Sequence, residues 1–161
     1  MITVEKPNAL DAGPMANLLN AIIKEGGTTA HTKSLTAADM TEMMAFAPAQ
    51  SAWHIARDTA GHLVGFQFIE PLKTLPPEAC DIATFVQMGR TGLGIGSALF
   101  TATARAAKAM GYVWINANIR ADNEGGLIYY QSRGFRDYGR IDGMTLASGL
   151  TVDKILKRYD I

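Results

Sequence analysis

The chain holds a single cysteine, Cys80, so no internal disulfide can form and a small fold stapled in an oxidising compartment is excluded. It has no excess of charge: 15 Lys and Arg stand against 15 Asp and Glu. Nucleic-acid binders carry a basic surplus, so no nucleic-acid partner is expected. No apolar run approaches the roughly 20 residues of a membrane-spanning helix. Met1–Lys6 is not a basic segment leading into an apolar one, as a secretory signal would be. The expectation is a cytoplasmic protein without a membrane partner. No period of roughly 20–50 residues repeats, and no Pro-, Gly- or Ser-rich linker divides the sequence. Residues 1–161 therefore read as one domain.

Hydrophobic periodicity supplies the elements. Ile2–Lys6 alternates like a short strand. Met15, Leu18, Leu19, Ile22 and Ile23 share one helical face, with Asp11 as expected N-cap, Pro14 in the first turn and Gly26-Gly27 as the stop. Thr28–Ser34 reads as a loop. Thr36 and Asp39 have the spacing of a capping box for a second helix, with Leu35 and Met40 as a hydrophobic staple and Met40, Met43 and Met44 as the buried face. Ala52–Arg57 and Leu63–Ile69 flank the turn Asp58–Gly61 as a hairpin, with Val64, Phe66 and Phe68 expected on one face. Asp81–Gln87 is a strand, Gly96–Met110 a helix with the polar stripe Ser97, Thr101, Arg105 and Lys108, and Tyr112–Ile119 a strand. In that strand Val113, Ile115, Ala117 and Ile119 oppose Trp114, Asn116 and Asn118. A helix over Asn123–Arg133 stops at Gly134, and Phe135–Ile141 and Val152–Tyr159 complete the order β-α-α-β-β-β-α-β-α-β-β. That order indicates an α/β or α+β sheet with helices on its faces.

The segment from Phe85 to Leu99 runs strand, glycine-rich turn, helix. The first turn of a helix carries unpaired backbone N–H groups and the positive end of the macrodipole, and glycines remove side chains that would keep a phosphate away. A phosphate or pyrophosphate ligand is expected there. The named phosphate motifs do not fit. Gly96 is followed by Ser97 and Ala98, without the lysine of a P-loop. The glycines read G-x-G-x-G rather than the dinucleotide G-x-G-x-x-G, and no acidic residue ends the next strand. Cys80, His31, His54 and His62 are too scattered for a metal site, so no metal is expected. Ser148 lies outside any G-x-S-x-G elbow.

About 30 residues later, Asn123, Tyr130 and the pair Gly134-Phe135 stand at the spacing of the second signature of the GNAT superfamily of acyl-CoA N-acyltransferases, which the segment Asn123–Phe135 resembles. Gly92–Leu99 is similar to the family's pyrophosphate loop, at the expected distance upstream. Together the two motifs cover residues 82–141. The resemblance implies a mixed, mostly antiparallel seven-stranded sheet flanked by about four helices, with splayed central strands. It also implies acetyl-CoA as co-substrate. Its pantetheine arm would pair with the main chain of Phe85 and Val86, its pyrophosphate would lie on Thr91, Gly92, Leu93, Gly94, Ile95, Gly96 and Ser97, and Asn123 and Tyr130 would also touch it. Two positions depart from the family pattern. Thr91 stands where Gln or Arg is usual, and Gly126 where Ala is expected. Gly126 fits either a close cofactor approach or tight helix–sheet packing.

The activity implied is direct attack by an amine on the thioester. Tyr130 matches the family's acid, while Tyr129 is read as packing against the sheet. Asp81 is the expected base, with Glu70 as the other carboxylate. Thr29, His31 and Glu70 are the expected acceptor contacts. The uncharged loop Thr28–Thr32 favours a small, polar amine, amino-acid-like in the first instance. The same resemblance leaves open a protein N-terminal or lysine acetyltransferase and a catalytically silent CoA-binding domain. Homodimers are common in the family.

Overall fold

A computed structural model describes residues 1–161. The elements are β1 (Thr3–Glu5), α1 (Ala12–Glu25), α2 (Ala37–Ala45), β2 (Ala52–Arg57), β3 (Leu63–Glu70), β4 (Ala79–Val86), α3 (Ile95–Ala109), β5 (Trp114–Arg120), α4 (Glu124–Ser132), β6 (Arg136–Thr145) and β7 (Thr151–Asp160). They form one seven-stranded sheet in the order β1-β2-β3-β4-β5-β7-β6. Every pairing is antiparallel except β4 with β5. None of the helices is long and apolar enough to cross a membrane.

The helices divide between the two faces. On one, Met15, Leu19 and Met40 of α1 and α2 pack on Trp53, Ile55, Phe66, Phe68 and Phe85. On the other, Phe100 and Ala107 of α3 and Tyr130 of α4 pack with Ile69, Ile82, Ile115, Ala117 and Phe135. Trp53 stacks on Phe68 with ring centroids 3.9 Å apart, which anchors the α1–α2 face to the hairpin.

Three local expectations need correction. Asp11 does not cap α1 with its side chain. The capping box lies one turn earlier, where Asn8 accepts from the Leu10 amide and Asp11 accepts from the Asn8 amide. Asp11 is buried and accepts instead from Arg57 Nη2 at 2.6 Å. Val64 does not share a face with Phe66 and Phe68. The β2–β3 register shifts between Ala56 and Arg57, and this bulge turns Val64 toward Ile95 and Leu99 of α3. Val113 precedes β5 and is exposed, whereas Ile115, Ala117 and Ile119 are buried as expected. The capping box of α2 forms as its spacing predicts, with Thr36 accepting from the Asp39 amide and Asp39 from the Thr36 amide.

The sheet is joined at its centre by very little. β4 and β5 pair only through Ala79–Trp114, Cys80–Ile115 and Asp81–Asn116. Beyond Asp81 the two strands separate, and the half of β4 from Ile82 to Val86 has β3 on one side and an open gap on the other.

Candidate functional site

A cavity of about 980 Å³ fills this gap and runs from the glycine-rich turn to the loop between α1 and α2. At one end, Gly92 and Gly94 both adopt φ +82°, and no atom lies within 4 Å of where a Cβ would stand on either. A side chain at either position would be strained, and it would intrude on the space in front of the α3 N-terminus. Thr91, Gly92, Gly94, Gly96 and Ser97 line the cavity. Leu93 and Ile95 do not. The Leu93 side chain points to solvent, and Ile95 anchors the start of α3 in the core. If these two serve the turn, they do so through their backbone.

Two cations stand near this end. Arg90, adjacent to the departing Thr91, pairs with Asp58 at 3.3 Å. Arg133 reaches from the end of α4 and donates through Nη1 to Ser97 Oγ at 2.5 Å. Its Nε is buried without a partner. An orphaned guanidinium N–H beside a helix N-terminus is a donor suited to an anion that bridges both. Sequence reasoning missed Arg133, since nothing in its position before Gly134 signals that the side chain crosses to α3.

The middle of the cavity is bounded by a hydrogen-bonded row on the α3–α4 side. Gln67 is fully buried and donates to Thr84 Oγ1 at 2.8 Å and to the Tyr129 oxygen at 3.0 Å. Tyr129 donates to the Gly96 carbonyl at 2.7 Å. Thr84 Oγ1 lies 2.8 Å from the Tyr130 oxygen. With Thr84 as donor in that pair, the Tyr130 O–H is free to point into the gap. Burial raises the pKa of Tyr130 well above that of an ordinary phenol, so the group keeps its proton. Tyr129 packs as expected, and its hydroxyl is held within this row. A Cβ on Gly96 would fall 2.6 Å from Tyr129 Cε1, so this glycine is needed for the ring to sit where it does.

Asn123 caps α4 by accepting from the Gly126 amide at 3.0 Å, and it donates to the Thr28 carbonyl at 3.1 Å. Its side chain lines the cavity but is committed to these internal bonds. Gly126 is explained by packing: a Cβ there would lie 2.5 Å from Asn123 Nδ2 and 3.2 Å from Ile119 Cγ2.

Asp81, Glu70, His31 and Thr29 gather at the far end of the cavity. Directly paired residues share a sheet face. Glu70 pairs with Asp81 and Asp81 with Asn116, so all three face the α1–α2 side. Thr84 and Tyr130 face the other side. Asp81 and Tyr130 thus approach the gap from opposite faces. Burial pushes the Asp81 carboxyl up to about 6, although Asn116 Nδ2 donates to it at 2.9 Å. Burial also raises Glu70 and lowers His31, whose protonation Lys154 further disfavours. The ring of His31 lies 6.3 Å from that of Phe85. The loop carrying Thr29 and His31 is roofed onto β5 by Arg120, which donates to the Thr29 carbonyl at 3.2 Å. Asn118, Arg120 and Lys154 complete this end.

Comparison with known proteins agrees with the geometry. Residues 17–135 match the family described as the Acetyltransferase (GNAT) family. A GNAT superfamily phosphinothricin acetyltransferase from Sinorhizobium meliloti, solved in complex with AcCoA, superposes with a TM-score of 0.89 at 16% identity, covering 99% of this chain and 88% of that one. A ribosomal-protein-alanine N-acetyltransferase from Brucella melitensis gives 0.89 at 15% identity, with 99% of each chain covered. An N-acetyltransferase from Staphylococcus aureus Mu50 gives 0.87 at 19% identity, covering 99% and 98%. No curated protein sequence matches the chain.

Proposed function

The chain belongs to the GNAT acetyltransferase family, and we propose that it transfers the acetyl group of acetyl-CoA to the amine of a small, amino-acid-like molecule. One observation carries this reading. A single cavity joins an anion cradle at the α3 N-terminus to a carboxylate of raised pKa, and it does so through a gap in the sheet flanked by a protonated tyrosine. The residues suit the cofactor: open space over Gly92 and Gly94, the unpartnered Arg133 Nε and the unpaired half of β4 are respectively a phosphate cradle, a donor to it and a strand edge.

Acetyl-CoA, when bound, supplies a thioester whose carbonyl carbon takes the amine lone pair and whose sulfur leaves. The chain's own groups manage the protons. An ammonium has no lone pair, so the acceptor must lose a proton, and the Asp81 carboxylate is the base that takes it, directly or through water. The sulfur needs a proton as the C–S bond breaks, and Tyr130 Oη carries one. The two roles suit opposite faces of the gap, because the incoming and departing groups lie on different sides of the carbonyl. Thr29, His31 and Glu70 enclose the acceptor end. The roofing of this loop by Arg120 favours a small acceptor over an extended peptide.

Calorimetric titration of acetyl-CoA, with ATP and NAD as controls, tests the reading. Micromolar binding should be lost in Gly94→Glu, which places a carboxylate in the cradle. Failure to bind at millimolar acetyl-CoA in the folded protein overturns it.

A further inference from the structure

Gln67 lies behind the cavity wall. It is fully buried on β3 and does not line the cavity, whereas Thr84, Tyr129 and Tyr130 do. A molecule in the cavity has no access to it, yet it holds the centre of the hydrogen-bonded row. Its Nε2 donates to both Thr84 and Tyr129, while its Oε1 is buried without a partner. A glutamine that only tied the sheet to α4 would use both ends of its amide, because a buried carbonyl left unpaired is unfavourable. Here one end is left unsatisfied so that the other can donate twice.

The direction of every bond in the row follows from one fixed acceptor. The Gly96 carbonyl has no hydrogen, so Tyr129 donates to it. The Tyr129 oxygen can then only accept from Gln67, which turns the amide with Nε2 toward the row. The opposite orientation would set oxygen against oxygen. Since Nε2 is a donor only, Thr84 Oγ1 accepts from it, and the Thr84 hydrogen has the Tyr130 oxygen as its side-chain acceptor. Tyr130 therefore accepts, and its own hydrogen is the one left over, at the gap.

We propose that Gln67 is a positioning residue, which fixes the direction of the row through Thr84 and so presents the Tyr130 proton to the departing sulfur. The inference rests on the acetyltransferase reading, with Tyr130 as its acid, and adds a residue that no ligand reaches. Once the amine nitrogen has bonded to the carbonyl carbon, the C–S bond breaks, its electron pair goes to sulfur, and sulfur takes the hydrogen of Tyr130 Oη. The phenolate left behind is held by the bond that Thr84 donates, and Gln67 strengthens that bond by donating to Thr84 in turn. Water entering as CoA leaves returns the proton. With the row reversed, Tyr130 would donate to Thr84 and have no proton facing the gap.

The test is a double-mutant cycle between Gln67→Met and Tyr130→Phe, read by thiol release from acetyl-CoA with the best acceptor of an amino-acid panel. Gln67→Met keeps the bulk of the side chain and removes both hydrogens. It should lower kcat about tenfold while KM for acetyl-CoA and for the acceptor stays within about twofold. In the Tyr130→Phe background the same substitution should change kcat by less than about twofold, because the proton it positions is gone. Thr84→Val should behave like Gln67→Met, and Thr84→Ser, which keeps the hydroxyl, should retain native kcat. If Gln67→Met does not fold, Gln67→Glu takes its place in the cycle. It has the same size and at most one hydrogen where two are needed, so its loss should be at least as large. An unchanged kcat in the Gln67 variant, or the same fold-loss in both backgrounds, overturns the inference and leaves the acetyltransferase reading intact. Native kcat in Tyr130→Phe, or no thiol release from bound acetyl-CoA with any acceptor or with water, removes the acid and the inference with it. Failure of the native protein to bind acetyl-CoA removes the reading itself.

Discussion

Tyr130 and Asp81 differ in what their environments ask of them, and each difference can be measured. Tyr130 is held protonated by burial and oriented by Thr84. Tyr130→Phe should lower kcat by roughly 10²–10³-fold, within the range of a well-placed acid, and leave the acetyl-CoA affinity from calorimetry within about twofold, since the ring still fills its place. An unchanged kcat would assign the proton to water. Asp81 must be ionised to act, so kcat/KM should rise about tenfold per pH unit below pH 6 and level off above it. The same carboxylate opposes folding when charged. Its folded pKa lies above the unfolded value near 3.9, so the native state holds the proton more tightly. Stability is therefore lost as pH rises from about 4 to about 6 and stays lost above. Asp81→Asn should then be inactive yet more stable than the native protein at pH 7.5. The gain is roughly 1–2 kcal/mol after allowance for solvent at a half-buried group, and it should vanish near pH 4 in denaturant melts. That both side chains would border one gap was readable from the resemblance and from the strand that carries Asp81. Lys154 was not. Its only signal is parity, a charge at the alternate position after Val152 where an inward apolar residue belongs. Lys157, at the opposite parity, sits across from Ala117 on the other face and is paired with Asp137.

At the scale of elements, the turn before α3 is where local chemistry and tertiary packing meet. The sequence raised an anion site at this turn through its glycines, and the resemblance of Asn123–Phe135 downstream sharpened that expectation. It did not show that Gly96 serves a different end from Gly92 and Gly94. The latter two have open space above them, and Gly96 has Tyr129. Gly96→Ala should displace that ring, break the Tyr129 bond to the Gly96 carbonyl and unsettle Gln67 and Thr84 behind it. The expected cost is about 1–3 kcal/mol, typical of overpacking, read as a lower urea midpoint with unchanged m-value. It should be accompanied by a lower kcat, since Thr84 orients Tyr130. A midpoint within experimental error of the native protein would mean that the ring relaxes freely and that the row is not a unit. The bulge at Val64 was hidden for a related reason. Strict alternation through Val64, Phe66 and Phe68 is the simplest reading of the residues, and only the β2–β3 register reveals the extra one.

At the scale of the molecule, the element order was legible in full, but the placement of β7 between β5 and β6 was not. Consecutive strands form a hairpin whichever of them docks on β5. The outcome leaves one half of the sheet, β1 to β4, joined to the other, β5 to β6, by three residue pairs and the helices that cross above and below. A ligand lying in the gap would act as the missing pairing along Ile82–Val86. Acetyl-CoA at a hundredfold over its Kd should stabilise the protein by about 2.7 kcal/mol, which for a chain of this size is a Tm increase of roughly 5–10 °C. The protection should be local as well as global. Amides along Ile82–Val86 that face β5 should slow in hydrogen exchange by more than those of β2, which is already paired on both sides. Gly94→Glu should abolish both effects. A Tm increase without added protection of β4 would place the ligand outside the gap. In that case Asp81 and Tyr130, which approach the gap from opposite faces, would lose their claim to act on a common group.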